Sequence, residues 1–434
     1  MAKDPLENTD QLEADQQARR LSRRALLTGG AVGAGLGALI GGAGGAFGGF
    51  SLGRADASAS ARFDDTTEPA LSVTGDEPGF GGEALPCHGE HQAGIVSVPA
   101  TNVRHIAYRL RDETDRASLA GMFRVLTGDI EALTAGVGPL ADPEPELAAR
   151  PARLSVTVGV GAGLVDRVDP RLRPAWLAPL PKFEHDELGH GFDGGDLLLI
   201  VQADDPLPVA HAARMLHRDL DRFAEVAWVQ QGFRQSRGSE ASDHTMRNLM
   251  GQVDGTVNPT PEEDDFDEVM WVDRGDGQAW LAGGSAFVLR RIRMELDSWD
   301  RVDRPGREQT MGRTLSDGAP LTNPTGGEHA PVDFDAKNAL GLPVISSAAH
   351  IRRAHSVDRR ERIVRRAVNY DDGNEAGLLF GCFQRNPLTQ FVPIQRRLDE
   401  ADLLNEWVTH TGSAVFAVLP GFKSGEILGA TLLA

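Results

Sequence analysis

One segment near the middle of this sequence is strongly apolar and sharply bounded: Asp196-Leu197-Leu198-Leu199-Ile200-Val201-Gln202-Ala203, followed at once by Asp204-Asp205-Pro206. A short apolar run that ends in turn-forming residues predicts a buried β-strand. The next segment, residues 208–223, has apolar side chains at the spacing of one helix face: Val209, Ala213, Leu216 and Leu220. This spacing predicts an amphipathic α-helix that packs on the strand.

The segments around this strand and helix extend the pattern. Upstream, strands are predicted at Gly94–Val98, His105–Leu110 and Leu154–Val160. A helix is predicted at Ala117–Ala135, and the unit closes with a strand at Val226–Gln230. The order strand, helix, strand, strand, helix, strand is typical of a ferredoxin-like domain. We therefore expect an N-terminal ferredoxin-like domain at residues 83–238.

Residues 239–434 repeat this pattern less regularly. Strands are predicted at Ser285–Met294, Ala376–Cys382 and Ala414–Leu419. Helices are predicted to begin near Leu296 and to cover Leu398–Thr409. The long polar region 301–335 is typical of a functional lid or wall. The predicted fold class is therefore α+β, with two ferredoxin-like domains and antiparallel sheets.

The composition limits the classes of partner. A formal net charge of −19 argues against a nucleic-acid partner, because binding phosphates requires a basic surface. The only two cysteines, Cys87 and Cys382, exclude a disulfide framework or a Cys-rich metal site. A single bridge between them is one alternative, and two buried thiols are the favoured one.

The N-terminal region has the features of an export signal. Arg23-Arg24 precedes an uncharged Gly/Ala-rich run, Thr28–Gly53, and small residues near Ala55–Ala61 offer cleavage sites. Paired arginines before a weakly apolar segment indicate the twin-arginine route, with the translocase as partner. A retained membrane anchor is the alternative, since the run is long enough to span a bilayer.

We assign residues 1–61 to the signal and 62–82 to a linker. We expect an extracellular, periplasmic or cell-envelope location. The twin-arginine route carries folded proteins, which favours an internal prosthetic group.

Three polar signals in the second unit could carry chemistry. Asp254 lies in the loop Gly251–Pro259, where glycines let a backbone approach a flat ligand closely. His350 begins a short basic segment, and Arg365 and Arg366 lie within Arg362–Tyr370. Each has an ordinary alternative, namely a turn residue, a surface histidine and a solvated arginine pair. None of the three is specific by itself.

Taken together with other motifs, these residues resemble the dye-decolorizing peroxidases, a family of haem b enzymes built from two ferredoxin-like domains. The resemblance covers nearly the whole chain after the linker. Its motifs, in order, are Gly89–Ile95, Gly194–Leu198, Gly251–Gly255, Arg290–Met294, Gly377–Phe380, Gln390–Gln395 and Leu404–Trp407. The export signal indicates the secreted branch, which includes the peroxidase associated with iron uptake.

The resemblance implies that haem b lies in the C-terminal domain, with His350 as the iron ligand. Asp254 and Arg365 would then lie on the opposite, peroxide-binding side of the haem. Arg366 is the rival for the arginine role, because a one-residue shift exchanges the two. Asp402 is the candidate carboxylate for the second N–H of the histidine, with a solvated helix residue as the alternative.

The resemblance also implies haem contacts from Gly255, Thr256 and Val257. Further contacts are expected from His355, Ser356 and Val357, where the family commonly has Asn-Pro-Arg. A propionate contact at Val357 could use only its backbone. Leu379 and Phe380 are expected to line the peroxide side, or else to be part of a core strand.

The implied function is reduction of hydrogen peroxide coupled to oxidation of dyes, phenols or other organic donors. Two alternatives stay open: iron release from haem, as in a deferrochelatase, and haem binding without turnover. Large donors would give electrons at surface aromatic residues or, in the ordinary interpretation, these residues only pack. The candidates are Tyr108, Trp271, Trp280, Trp299, Tyr370 and Trp407. A homo-oligomer is possible.

Overall fold

The computed structural model describes residues 80–241 and 244–434. The predicted signal at 1–61, and the linker as far as residue 79, lie outside these described residues. The fold is α+β, as predicted. The strands are β1 (Asn102–Leu110), β2 (Ser155–Val160), β3 (Leu197–Ala203), β4 (Ala224–Phe233), β5 (Ser285–Met294), β6 (Val364–Arg365), β7 (Val368–Asp371), β8 (Ala376–Gln384) and β9 (Val408–Val418).

The helices vary from four to 19 residues. They are α1 (Arg116–Thr134), α2 (Ala162–Val168), α3 (Pro206–Leu220), α4 (Phe266–Met270), α5 (Leu296–Trp299), α6 (Arg304–Met311), α7 (His350–Ala354), α8 (Phe391–Ala401) and α9 (Ala430–Leu433). Short 3-10 helices lie at Phe80–Gly82, Pro145–Leu147, Pro170–Leu172, Arg274–Asp276, Ala279–Leu281, Arg359–Glu361 and Leu403–Glu406.

The first unit confirms the predicted alternation of strands and helices. Aspartates cap both long helices: Asp115 accepts a hydrogen bond from the Ser118 N–H at 2.8 Å, and Asp205 accepts one from Leu207. Such caps satisfy backbone donors that have no partner within the helix. Both helices bury one apolar face against the sheet, which the sequence periodicity had indicated.

The predicted strand at Gly94–Val98 is wrong. This segment consists of turns and bends, and Gly94 has a φ of +88°. The side chain of Gln202 donates a hydrogen bond to the Gly94 carbonyl at 2.9 Å. A Cβ at Gly94 would lie only 2.4 Å from that side-chain nitrogen, so the close approach requires glycine. Propensity favoured a strand, but β3 already pairs with β1 and β2 on both edges.

The second unit corrects another boundary. The predicted helix Leu398–Thr409 is in fact the last turn of α8, a 3-10 helix and the beginning of β9. The chain changes direction at Asp402, whose carboxylate caps the 3-10 helix by accepting from the Leu404 N–H at 3.0 Å. From Val408 onward the backbone pairs with β5 instead.

The strands form one antiparallel sheet in the order β5-β9-β2-β3-β1-β4-β7-β8-β6, and β5 also pairs with β8. Within it, β4-β1-β3-β2 and β9-β5-β8-β7 are two copies of the ferredoxin-like strand order. Because β5 and β8 pair, the sheet closes on itself. The fold therefore has two ferredoxin-like domains, while the boundary between residues 238 and 239 stays a prediction.

The buried apolar residues form three clusters. The largest packs α1 and α3 against their sheet, and a second fills the space enclosed by the sheet, around Ala107, Phe287 and Phe416. The third, around Met246 and Trp299, lies beside the Asp254 loop. Cys87 and Cys382 are free, buried thiols, as favoured. Among the helices of the described residues, none combines the length and apolar character needed to span a membrane.

Candidate active site

The loop Gly251–Pro259 presents Asp254 at the edge of the third cluster. Gly251 and Gly255 have φ values of +84° and +127°, a region that side chains other than glycine rarely adopt. The backbone N–H of Asp254 donates to the Met246 carbonyl at 2.8 Å, which fixes the carboxylate between the two glycines. The glycines therefore hold the loop in shape as well as allowing close approach.

The carboxylate of Asp254 faces a guanidinium. Arg365 Nη1 lies 3.6 Å from Asp254 Oδ1, and the two side chains are 25% and 14% exposed. The other carboxylate oxygen accepts a hydrogen bond from Asn248 Nδ2 at 3.3 Å. Arg365 lies in β6, where it pairs with Cys382 of β8. The sheet and the loop thus bring together a carboxylate and a guanidinium that are far apart in sequence.

Asn258 holds Arg365 in place, a role that no local sequence pattern predicts. Its Oδ1 accepts from the Arg365 backbone N–H at 3.0 Å and from Arg365 Nε at 3.3 Å. Its Nδ2 donates to the Arg365 carbonyl at 2.9 Å. Before the structure, Asn258 mattered only as the residue that precedes Pro259 and ends the loop.

Arg366 lies on the other side of the backbone. Its Nη2 donates to the Ser97 carbonyl at 2.6 Å, within the space that the sheet encloses. Neighbouring residues of an extended chain point to opposite faces. The geometry therefore brings Arg365, not Arg366, to Asp254.

His350 is the first residue of α7, and Asp402 binds one of its ring nitrogens. Asp402 Oδ2 lies 2.6 Å from His350 Nδ1, and the carboxylate is only 3% exposed. Burial by itself would lower the pKa of His350, but the charge and hydrogen bond of Asp402 raise it above the ordinary value. The structure thus brings Asp402 to the histidine, as expected from the resemblance.

Asp254 and Arg365 also act electrostatically on His350. The charge of Asp254 also raises the pKa of His350, and that of Arg365 lowers it, so both lie within electrostatic range of the ring. His350 Nε2 makes no hydrogen bond to any residue that the structure describes, and the side chain is 28% exposed. Nε2 is therefore available to a ligand.

This arrangement fits a haem. Within residues 80–241 and 244–434, no three His, Cys, Asp or Glu side chains form a metal-binding group. A single imidazole is enough for haem iron, because the porphyrin supplies four of the ligands. Asp402 on Nδ1 leaves Nε2 as the ligand atom and fixes the orientation of the ring.

The region 301–335 contacts the Asp254 loop through Glu328. Its carboxylate accepts from Thr256 Oγ1 at 3.1 Å and from the Thr245 N–H at 3.3 Å. Gly255 and Thr256 thus lie against this region, whereas Val257 is 67% exposed. The polar region therefore contacts the Asp254 loop, through a residue, Glu328, that was not among the predicted ones; its role as a functional lid or wall stays a prediction.

The segment after α7 is the least enclosed of the predicted contacts. Val357 is 94% exposed. The His355 ring is 4.9 Å from the Phe334 ring, and Ser356 Oγ accepts from the Asp358 N–H at 3.1 Å. These contacts tie the segment to its neighbours, and its part in haem binding stays a prediction.

Most of the remaining apolar and aromatic candidates are buried in the apolar clusters. Leu379 is fully buried in the cluster enclosed by the sheet, while Phe380 points the other way, towards the cluster beside the Asp254 loop. Alternation along β8 therefore prevents both from lining one pocket. Of the six Trp and Tyr candidates, all but Trp407 are less than 10% exposed, so a surface position is wrong for those five.

Comparisons with known proteins agree in both halves of the chain. A family model described as Dyp-type peroxidase, N-terminal, matches residues 92–234, and one described as Dyp-type peroxidase, C-terminal, matches residues 245–423. A dye-decolorizing peroxidase from Thermobifida fusca is 36% identical over 389 residues, 86% of each chain. A deferrochelatase from Yersinia pseudotuberculosis is 31% identical over 440 residues, 94% of each chain.

Solved structures give the same result. A DyP-type peroxidase from Cellulomonas bogoriensis superimposes with a TM-score of 0.78 at 49% identity, covering 82% of this chain and 99% of its own. The oxyferrous/water mixed complex of DtpA from Streptomyces lividans also has a TM-score of 0.78, at 38% identity, covering 83% of this chain and 100% of its own.

Proposed function

Because this chain belongs to the Dyp-type peroxidase family and is a haem peroxidase, we propose that it reduces hydrogen peroxide at Asp254 and Arg365 while His350 holds haem b. The electrons come from dyes, phenols or other organic donors. The observation that carries the proposal is the 3.6 Å contact between Arg365 and Asp254.

Asp254 acts as the proton carrier. Heterolysis of the O–O bond requires that a proton leave the near oxygen and reach the far one, which departs as water. A carboxylate can do both, directly or through a water molecule. Asn248 and the Met246 carbonyl keep Asp254 in position for these two transfers.

Arg365 stabilises the negative charge that develops on the departing oxygen. A guanidinium stays protonated and presents several N–H donors in one plane. Because Asn258 holds both its backbone and its Nε, Arg365 needs little reorganisation when this charge forms.

His350 would bind the iron through Nε2, and Asp402 would increase the donor strength of the imidazole. When bound, haem supplies the two electrons that cleave the peroxide, and two one-electron donors restore them. The balance is one H₂O₂ and two donors AH₂ giving two H₂O and two AH radicals. The protein contributes position, polarity and the proton path.

The test uses two variants of the haem-loaded enzyme. Asp254→Asn keeps the size of the side chain but removes the base, so we expect a loss of about 10²- to 10⁴-fold in the rate with peroxide. The Soret band should remain. His350→Ala should instead reduce haem binding. Full peroxidase activity in Asp254→Asn, or normal haem binding in His350→Ala, would refute the assignment.

Iron release from haem is the second candidate, supported by the similarity to the Yersinia deferrochelatase over 94% of both chains. In this case the same site would hold haem as substrate. Recovery of intact, iron-free porphyrin from added haem would support it. Many peroxide turnovers on a dye, with the haem unchanged, would count against it. Haem binding without turnover is excluded, because this chain belongs to a family of enzymes.

We also propose export by the twin-arginine route to the extracellular, periplasmic or envelope space. The support is sequence alone: Arg23-Arg24 before the Gly/Ala-rich run. Replacing both arginines with lysine should retain the folded protein in the cytoplasm, as measured by cell fractionation. Unchanged export would exclude this route. Assembly into a homo-oligomer stays a prediction that light scattering can check.

A further inference from the structure

The space enclosed by the sheet contains a small cavity of about 20 Å³, lined by both apolar and charged side chains. A cavity of this size has room for one or two water-sized species. Two arginines line it: Arg234, which directly follows β4, and Arg366, which lies between β6 and β7. His105 and Gln202 are also part of the lining. The two arginines come from different domains and reach the same cavity.

Neither arginine has a carboxylate within ion-pair distance among the residues that the structure describes. Arg366 donates to the Ser97 carbonyl, while its Nε is buried and has no hydrogen-bond partner there. Arg234 makes only a weak contact, from Nε to the sulfur of Met246 at 3.1 Å. Asp254 lies close enough to raise the pKa of Arg234, but not close enough to form an ion pair.

Two buried arginines elsewhere in the described residues have carboxylate partners. Arg290 pairs with Asp186, and Arg291 lies 2.8 Å from Glu375. A charge removed from water without a partner is costly, because it loses hydration and gains no counter-charge. Unlike Arg290 and Arg291, the two partly buried arginines of the cavity have no carboxylate partner among the described residues.

The two guanidinium groups also affect each other. Burial, and then the charge of Arg234, lowers the pKa of Arg366 to about 9. Both groups are still protonated at neutral pH, so two positive charges face one cavity. Burial lowers the pKa of His105 to about 4, which makes its ring neutral. Its Nδ1 is buried without a partner among the described residues, and one tautomer offers an N–H there.

We propose that Arg234, Arg366 and His105 form a binding site for a small monovalent anion, with chloride as the ligand. The cavity size suits a single halide ion and excludes sulfate or phosphate. A bound anion neutralises the repulsion between the guanidinium groups. It also links the N-terminal domain to the backbone next to Arg365. This site is separate from the proposed peroxide chemistry and does not depend on it.

Crystals of the haem-loaded enzyme soaked in sodium bromide provide a direct test, because bromide scatters anomalously. We expect an anomalous peak between the guanidinium groups of Arg234 and Arg366. Density for water alone at that position, with no anomalous signal, would overturn the proposal. This measurement requires no variant and no activity.

Thermal unfolding provides a second test. Sulfate stabilises folded proteins in general because it is excluded from their surface, so the exchange of sulfate for chloride at constant ionic strength is compared between the enzyme and its variants. Chloride should favour the Tm of the unaltered haem-loaded enzyme by at least about 2 °C relative to a variant without the site. Arg366→Met should lack this chloride-specific gain. It should also unfold at a higher temperature than the unaltered enzyme in sulfate, because the repulsion is gone.

Arg360→Met is the matched control, since Arg360 is exposed and pairs with Asp358 at 2.8 Å. It should keep the full chloride response. Chloride could also bind haem iron, and that effect would persist in Arg366→Met. A chloride response of equal size in Arg366→Met would therefore overturn the proposal. So would a lower Tm in sulfate for a folded Arg366→Met.

Discussion

The side chain of Asn258 brackets Arg365, accepting from its backbone N–H and its Nε and donating to its carbonyl. Three hydrogen bonds from one amide leave the arginine little freedom in its orientation towards Asp254. The loop that carries Asp254 thus also positions Arg365. One loop therefore determines the relative position of both proposed catalytic side chains.

Replacing Asn258 with alanine should lower the rate with peroxide by about 10- to 100-fold, because Arg365 loses its fixed orientation. Stopped-flow measurement of the haem-loaded variant checks this, and the Soret band should be unchanged. Asn338→Ala is the control, since Asn338 organises a surface turn through the Leu340 and Leu342 N–H groups. Equal rates for the two variants would contradict a positioning role.

Arg365 and Arg366 can be distinguished by the same measurement. Arg365→Leu removes the charge that stabilises the departing oxygen, so the rate with peroxide should fall by about 10²- to 10³-fold. Arg366→Leu removes a side chain on the opposite face and should cost much less. If Arg366→Leu is the more damaging change, the assignment is shifted by one residue.

The Asp402–His350 contact predicts a spectroscopic and redox effect. Asp402→Asn keeps an oxygen for the Leu404 N–H cap but removes the negative charge from His350. The imidazole then donates less to the iron, so the ferric/ferrous reduction potential should rise. Activity should fall about 10- to 100-fold. An unchanged potential, measured by spectroelectrochemistry, would mean that Asp402 serves only as a helix cap.

A carboxyl pair far from the haem site predicts how stability depends on pH. Asp219 of α3 interacts with Asp129 of α1: burial, followed by the influence of Asp129, raises the pKa of Asp219 to about 8. The unfolded value is about 4. Between these values the folded state holds a proton that the unfolded state has released. The stability should therefore decline as the pH rises from about 4 to about 8.

Asp219→Asn should flatten this decline, because the amide needs no proton to lie beside Asp129. Tm values at pH 5 and pH 8 provide the comparison. Asp221→Asn, an exposed change just after α3, should keep the dependence of the unaltered enzyme. A decline in Asp219→Asn as steep as in that control would show that the pair does not share a proton.

Local features were predictable from the sequence, and long-range contacts were not. Helix α1 followed from the periodicity of its apolar residues, and strand β3 from a short apolar run that ends in turn-forming residues. The segment at Gly94 failed because propensity contains no information about which strand edges are already paired. Before the structure, Asp254, His350 and Arg365 were connected only by the family resemblance, which rests on the order of the motifs.

Asn258 and Glu328 escaped prediction for a physical reason. Each acts through hydrogen bonds to residues 107 and 72 positions away, respectively, and no local spacing encodes such a contact. Asp402 was the expected partner of the histidine, but its second function as the cap of the 3-10 helix Leu403–Glu406 was not predicted. The new helix begins at this cap, which is why the predicted helix at Leu398–Thr409 is interrupted.

The closed sheet has a consequence for the order of synthesis. β2 pairs with β9 through Gly159 and Val160, and β4 meets β7 only at Phe233 and Asn369. The N-terminal domain therefore leaves the ribosome with both of its outer strands, β2 and β4, uncovered. The edge of β2 stays unpaired until β9, which includes Val418, has been synthesised. Uncovered strand edges recruit other chains. A product truncated anywhere before β9 would keep one such edge, which distinguishes unfinished chains from finished ones.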